Sequence, residues 1–237
     1  MNLRKAGGLA ALVLAAAYLV GIALNFTVLD TSAIADPVEK VAFLADRQVV
    51  FHAWTFFVYV AFGVALVFLA LALDEQVRGA ARGLSRAATA FALIWAGLLI
   101  AAGNVFIAGM NAVTGLLASG PEQAATIWAA LEAVHLGLSG TSELPGALWT
   151  LLVSAAMLQV GASQRRAFPR ALSYLGLTAG AAGLLTVIPP LFMPAVMIYA
   201  FGHCAWWIWL GALLLRKQSE AAANPTTPPE LAQSAAA

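Results

Sequence analysis

The sequence predicts an all-α membrane protein, a bundle of six transmembrane helices with both termini in the cytoplasm. Three observations predict it. Hydrophobic residues make up 62% of the chain and charged residues only 10%, too few to cover a water-exposed surface, which draws on roughly 25%. The apolar residues come in runs of about 20, the length a ~30 Å hydrocarbon layer requires, and a run such as 61–73 lacks the period-two alternation of a β-barrel. The basic residues also alternate between loops. Arg4, Lys5, Arg78, Arg82, Arg86, Arg165, Arg166, Arg170, Arg216 and Lys217 fall on one side of the six-span scheme, and only Lys40 and Arg47 on the other. The positive-inside rule turns the first side to the cytoplasm.

The first helix is expected over 9–29. A cleaved signal peptide is the rival reading, with Ala33-Ile34-Ala35 as the site, but the apolar stretch exceeds the usual h-region of about 7–15 residues. Asp36-Pro37-Val38-Glu39 reads as a helix start, with an N-cap, proline at N1 and glutamate at N3. Helix two follows over 49–73. Helix three spans 87–117, long enough to project beyond the hydrocarbon or bend near Gly109 or Gly115. A short helix over 122–138 breaks at Gly137-Leu138-Ser139-Gly140. Helix four covers 143–160, where Pro145 is tolerable in the first turn. Helix five covers 171–188, Pro189, Pro190 and Pro194 turn the chain, and helix six covers 195–215. Residues 1–217 thus form one transmembrane domain. Residues 218–237, rich in Ala and Pro with Ser and Gln, read as a disordered cytoplasmic tail.

A net charge of +1 with no basic patch leaves no nucleic-acid partner. The lone Cys204 excludes an internal disulfide and reads as a small packing residue. Gly176, Gly180 and Gly183 read as a close-packing helix face.

The segments Leu131-Glu132-Ala133-Val134-His135, Leu144-Pro145-Gly146-Ala147-Leu148 and 166–176 (RAFPRALSYLG), with Arg4-Lys5-Ala6-Gly7-Gly8 at the start, resemble the bacterial membrane proteins grouped as domain of unknown function family 4386. That resemblance would cover most of residues 4–217. It implies a six-helix fold in the bacterial cytoplasmic membrane and carries over no chemistry. Ser139 to Glu143 is more polar than the family's pattern leads one to expect.

Each helix carries a polar or small-residue stripe at i, i+3/i+4, i+7 spacing. The stripes are Tyr18 and Asn25; His52, Thr55, Tyr59 and Gly63; Asn104, Ala108, Asn111 and Gly115; Glu143, Ala147, Thr150 and Ser154; and Tyr199, His203, Trp206/Trp207 and Leu210. In the six-span scheme the polar groups fall in the outer half of the bilayer, and polar groups in lipid face the bundle interior or a wet cavity. The expectation is an outward-open pocket for a small or lipid-like ligand or a partner membrane protein. Glu132, His135 and Glu143 stand at its mouth, His52, Asn104 and Asn111 on its wall, and His203 at its floor, under a lid formed by 121–140. The plain alternative is that these groups hydrogen-bond neighbouring helices, at about 0.6–2 kcal/mol each.

Other chemistries are weaker. Glu132-x-x-His135 is half of the paired motif that di-iron bundles use, and His203 or His52 could add to a metal set. A bis-histidine haem site could use only His52 and His203, at unequal depths. Ser139 with His203 imitates a Ser–His dyad, but Ser139 precedes helix four. A small-solute carrier lacks an internal repeat and a clear mid-membrane acid.

Overall fold

The computed structural model describes residues 2–139, 143–163 and 168–223, and these are almost wholly helical. Asn2 caps α1 (Leu3–Asn25) by accepting the Arg4 N–H. The helix therefore starts six residues before the expected boundary, since Arg and Lys are good helix formers once capped. Asp36 caps α2 (Pro37–Asp46) as expected, taking the N–H groups of Val38 and Glu39 at 2.8 and 2.9 Å. In the preceding loop the Ser32 backbone N–H binds Asp30 and holds its carboxyl below the usual range.

Helix two is one continuous rod, Gln48–Val77, made of α3 (Gln48–Thr55), a π-helical segment (Phe56–Ala61) and α4 (Phe62–Val77). After it come α5 (Arg82–Leu116), α6 (Pro121–Ser139), α7 (Leu144–Ser163), α8 (Arg170–Leu185), a 3-10 turn (Pro189–Leu191) and α9 (Phe192–Ala223). The break expected at 137–140 does not occur before Ser139, and Gly140 lies outside the described residues. So do Arg165 and Arg166. The first six residues of the expected tail continue α9, and 224–237 lie outside the described residues.

Among the described residues five stretches are long and apolar enough to cross a membrane: Leu3–Asn25, Gln48–Val77, Arg82–Leu116, Pro121–Gly161 and Pro189–Arg216. The 16-residue α8 is not among them; at 1.5 Å per residue it rises about 24 Å. The outer surface is rich in large apolar side chains, among them Phe26, Phe56, Ile94 and Phe201.

Six helices close a ring. α1 packs on α4 and α9, α5 on α4 and α7, and α8 on α7 and α9. Small residues set these approaches. A Cβ on Gly7 would strike Ala72 of α4, and one on Gly211 would lie 3.0 Å from the Gly8 carbonyl oxygen. Gly176, Gly180 and Gly183 form the close-packing face of α8, against Ser154, Leu151 and Tyr199 respectively. Trp206 and Trp207 are fully buried in the ring and do not belong to an interfacial belt. Beyond the ring, α2, α3 and α6 gather on the far part of α5. They share a second core built on Phe51, Phe106, Met110, Val113 and Trp128.

Gly180→Val should destabilise the protein by about 1–3 kcal/mol, because its Cβ alone already meets Leu151 Cγ at 2.7 Å and the Ala147 carbonyl oxygen at 3.0 Å. Gly97→Ala, with nothing within 4 Å, should be neutral or stabilise by up to about 1 kcal/mol. Thermal unfolding in detergent distinguishes the two.

Candidate functional site: an aromatic cavity inside the ring

Where α1 faces the π-helical segment, the ring encloses a cavity of about 300 Å³. Six aromatic side chains line it: Tyr18, Phe26, Trp54, Tyr59, Phe62 and Trp95. Its polar lining includes Asn25, Ser139 and Glu143, and no Lys, Arg or His is among the described lining residues. Asn25 and Phe26 are exposed and mark the mouth at the end of α1. A groove of about 380 Å³ on the outside of α1 and α4 is lined by apolar residues alone and offers no chemistry.

The π segment creates the space. An i→i+5 turn adds a residue and shifts every later side chain around the axis. The stripe His52, Thr55, Tyr59, Gly63 is therefore split. Thr55 is fully buried, Tyr59 turns to the cavity, and Gly63 packs on Ile100 and the Ala96 carbonyl of α5. The widened turn fits because Gly103 stands opposite, where a Cβ would lie 2.8 Å from Tyr59 Cβ. Trp54 is fixed from the other side, its indole N–H donating to the Gly21 carbonyl of α1 at 3.1 Å.

His135 holds Tyr59. The imidazole is buried and stacked on Phe106, with centroids 3.4 Å apart. Its Nδ1 lies 3.1 Å from the Ala102 carbonyl, which can only accept, so Nδ1 carries the proton. Nε2 then accepts from the Tyr59 hydroxyl at 3.0 Å. The Ser139 hydroxyl is 3.3 Å from Nε2 but donates to the His135 carbonyl at 3.0 Å. It is a helix-turn bond, not an activated nucleophile.

Glu143 enters the cavity from the start of α7. Its backbone N–H donates to Thr186 Oγ1 at 3.0 Å, and that hydroxyl donates to the Gly183 carbonyl, so α8 fixes the position. A carboxylate before a helix also faces unsatisfied N–H groups, which favours it. The residue is half-buried, and the Tyr199 hydroxyl lies beside its carboxyl. No ion pair to Glu143 occurs among the described residues.

The other proposed site residues lie elsewhere. Glu132 sits outside the cavity, its carboxylate bridging Lys40 of α2 at 2.7 and 3.0 Å. His135 stands behind the wall rather than at the mouth. Asn104, Ala108, Asn111 and Gly115 do share one face of α5, but it is the outer face, and Asn111 accepts from Gln48 at 2.8 Å. Ala102, Gly103, Phe106 and Gly109 take the inner face because small residues allow close approach. His52 is half-buried, its Nε2 without a hydrogen-bond partner among the described residues.

His203 is fully buried but does not line the cavity; it lies against Trp207 (4.8 Å) and Trp95 (6.4 Å). Nδ1 points at the Tyr199 carbonyl at 3.1 Å and Nε2 at Thr150 Oγ1 at 2.7 Å. Thr150 Oγ1 is also 2.8 Å from the Gly146 carbonyl, but one hydroxyl proton cannot serve both. The carbonyl already takes a helix N–H, so the proton goes to Nε2, and His203 is neutral and satisfied.

No three of His, Cys, Asp and Glu converge on a metal-sized site among the described residues. Both nitrogens of His135 and of His203 are engaged in hydrogen bonds, and His52 Nε2 is the imidazole nitrogen left without a partner among the described residues. Tyr18 and Tyr59 belong to stripes expected to face the interior, whereas the π segment and the walls Trp54, Phe62 and Trp95 are not foreseen by any motif. Their one signal is the density of aromatics over 54–62.

Tyr59→Phe should cost about 1–3 kcal/mol by leaving a buried imidazole nitrogen without its donor. Ser139→Ala should cost less, since that hydroxyl serves a carbonyl. Chemical unfolding in detergent measures both. No family model, no curated protein and no solved structure matches this chain, and its function is therefore argued from the cavity.

Proposed function

We propose that this is a six-span protein of the bacterial cytoplasmic membrane, with both termini inside, that binds a small ligand from the outer side. The aromatic cavity carries the reading. Pockets of roughly 300–1,000 Å³, mostly apolar with a few placed polar groups, are the usual form of a small-molecule site. The cavity fits that description, with six aromatic side chains and one carboxylate over about 300 Å³.

The side of entry follows from charge. Arg4, Lys5, Arg78, Arg82, Arg86, Arg170 and Arg216 all sit near the same ends of the ring helices, and Asn25, Ser139 and Glu143 belong to the opposite ends. The positive-inside rule supports the cytoplasm for the first group and the outer face for the cavity mouth. α8 serves as the sixth span once the apolar Val187 and Ile188 extend it. The short motifs resembling family 4386 fit the same layout. A metal- or haem-dependent redox role and a carrier role are secondary, because His135 and His203 are both committed to hydrogen bonds within the bundle.

The test uses cysteine labelling in a Cys204→Ala background, which removes the only native thiol. Asn25→Cys should react in intact spheroplasts with a thiol reagent that cannot cross the membrane, and a cysteine at Arg82 should react only in inverted vesicles. The reverse pattern would overturn the orientation. An unreactive Asn25→Cys in both preparations would remove the open cavity.

A further inference from the structure

We propose that the cavity binds an organic ammonium ion, with the Glu143 carboxylate as its counter-charge and the aromatic walls as its cage. The inference rests on the reading of the cavity as a ligand site and adds the class of ligand.

Three observations carry it. Among the described residues Glu143 is the only charged side chain lining the cavity, and no cation pairs with it. Other partly buried acids have a cation in reach: Glu132 has Lys40, and Asp74 has Arg78 at 3.9 Å, whereas Glu143 has the Tyr199 hydroxyl beside it and no cation among the described residues. A half-buried carboxyl without a cation leaves that place to a positively charged ligand. Second, Tyr18, Trp54, Tyr59 and Trp95 surround the same space. Aromatic faces attract ammonium groups, and such cages recognise quaternary ammonium ligands. A bare Ca²⁺ or Mg²⁺ would want about six or more oxygens, which a mostly aromatic lining does not supply. Third, no Lys, Arg or His among the described residues lines the cavity. The phosphate of a zwitterionic lipid headgroup would enter unpaired, which favours a free amine or quaternary ammonium.

The test uses the full chain in nanodiscs, with Ser139→Cys as the reporter inside the cavity and Asn25→Cys at the mouth, both with Cys204→Ala. Rates are taken with cationic trimethylammonioethyl and anionic sulfonatoethyl methanethiosulfonate and normalised to a free thiol in solution. Ser139→Cys should favour the cationic reagent at least tenfold, and Glu143→Gln should bring the ratio close to one. Choline should slow the cationic reaction saturably, whereas its neutral isostere 3,3-dimethylbutan-1-ol should not. Choline protection needs no change at Glu143, so it decides the matter even where Glu143→Gln fails to fold. Reactive cysteines with no charge preference and no choline protection overturn the ammonium assignment and leave the ligand pocket standing. Two unreactive cysteines overturn the pocket itself. Protection in phosphatidylethanolamine discs without choline, absent in phosphatidylglycerol discs, supports the ammonium chemistry and assigns it to a lipid headgroup.

Discussion

The packing of the π-helical segment Phe56–Ala61 against Gly103 is the contact on which the interior depends. Backbone groups in hydrocarbon must be satisfied within the chain, and an i→i+5 turn meets that demand while displacing the helix's register. Below the segment, α4 seals the ring with Phe62, Leu66 and Leu69, all essentially inaccessible. Trp54, before the segment, and Tyr59, within it, line the cavity. A side chain at position 103 would push Tyr59 out of the place where His135 holds it. One backbone irregularity thus decides both where the ring is tight and where it is open.

Among the described residues the two larger cores have different tasks. The ring core is aliphatic at one end and aromatic toward the cavity floor, where Tyr18, Phe62 and Trp207 meet with centroids 5.2–5.8 Å apart. The smaller core clusters Phe51, Phe106 and Trp128 and joins α6 to the far part of α5. Lys40 and Glu132 tie α2 to this second core. A pair this exposed contributes at most about 1 kcal/mol, so its main effect is to set the place of α2 on α6. The second core reaches the cavity through His135, which stacks on Phe106 and holds Tyr59 by a hydrogen bond. Loosening it would therefore be felt at the cavity wall.

Two of the three histidines are structural for the same reason. Each donates from Nδ1 to a backbone carbonyl and accepts at Nε2 from a hydroxyl, which is a complete set for a neutral imidazole. Chemically versatile side chains are thereby committed to packing. Among the described residues lining the cavity the one carboxyl is that of Glu143, and this is what turns an aromatic void into a candidate for a positively charged ligand.

Composition and apolar run length determined the all-α class, because a chain with so few charges cannot cover a water-exposed surface and because a bilayer imposes about 20 residues per span. The Asp36 cap and the glycine face of α8 were equally legible, since each is set by residues a few positions apart. What the sequence could not determine was rotation about the helix axes. The rule that polar groups face inward assigned Asn104 and Asn111 to the interior, but on α5 the small residues Ala102, Gly103 and Gly109 decide the inner face, because they let neighbours approach. The π segment has no local residue signature, so the phase shift that brings Tyr59 to the cavity and separates it from His52 and Gly63 arises only when the rod packs on α1 and α5. Glu143 was visible as a polar residue before a helix. That it stands without a cation among aromatic walls was decided by the tertiary structure, because those walls come from helices that are distant in the chain and meet only when the ring closes.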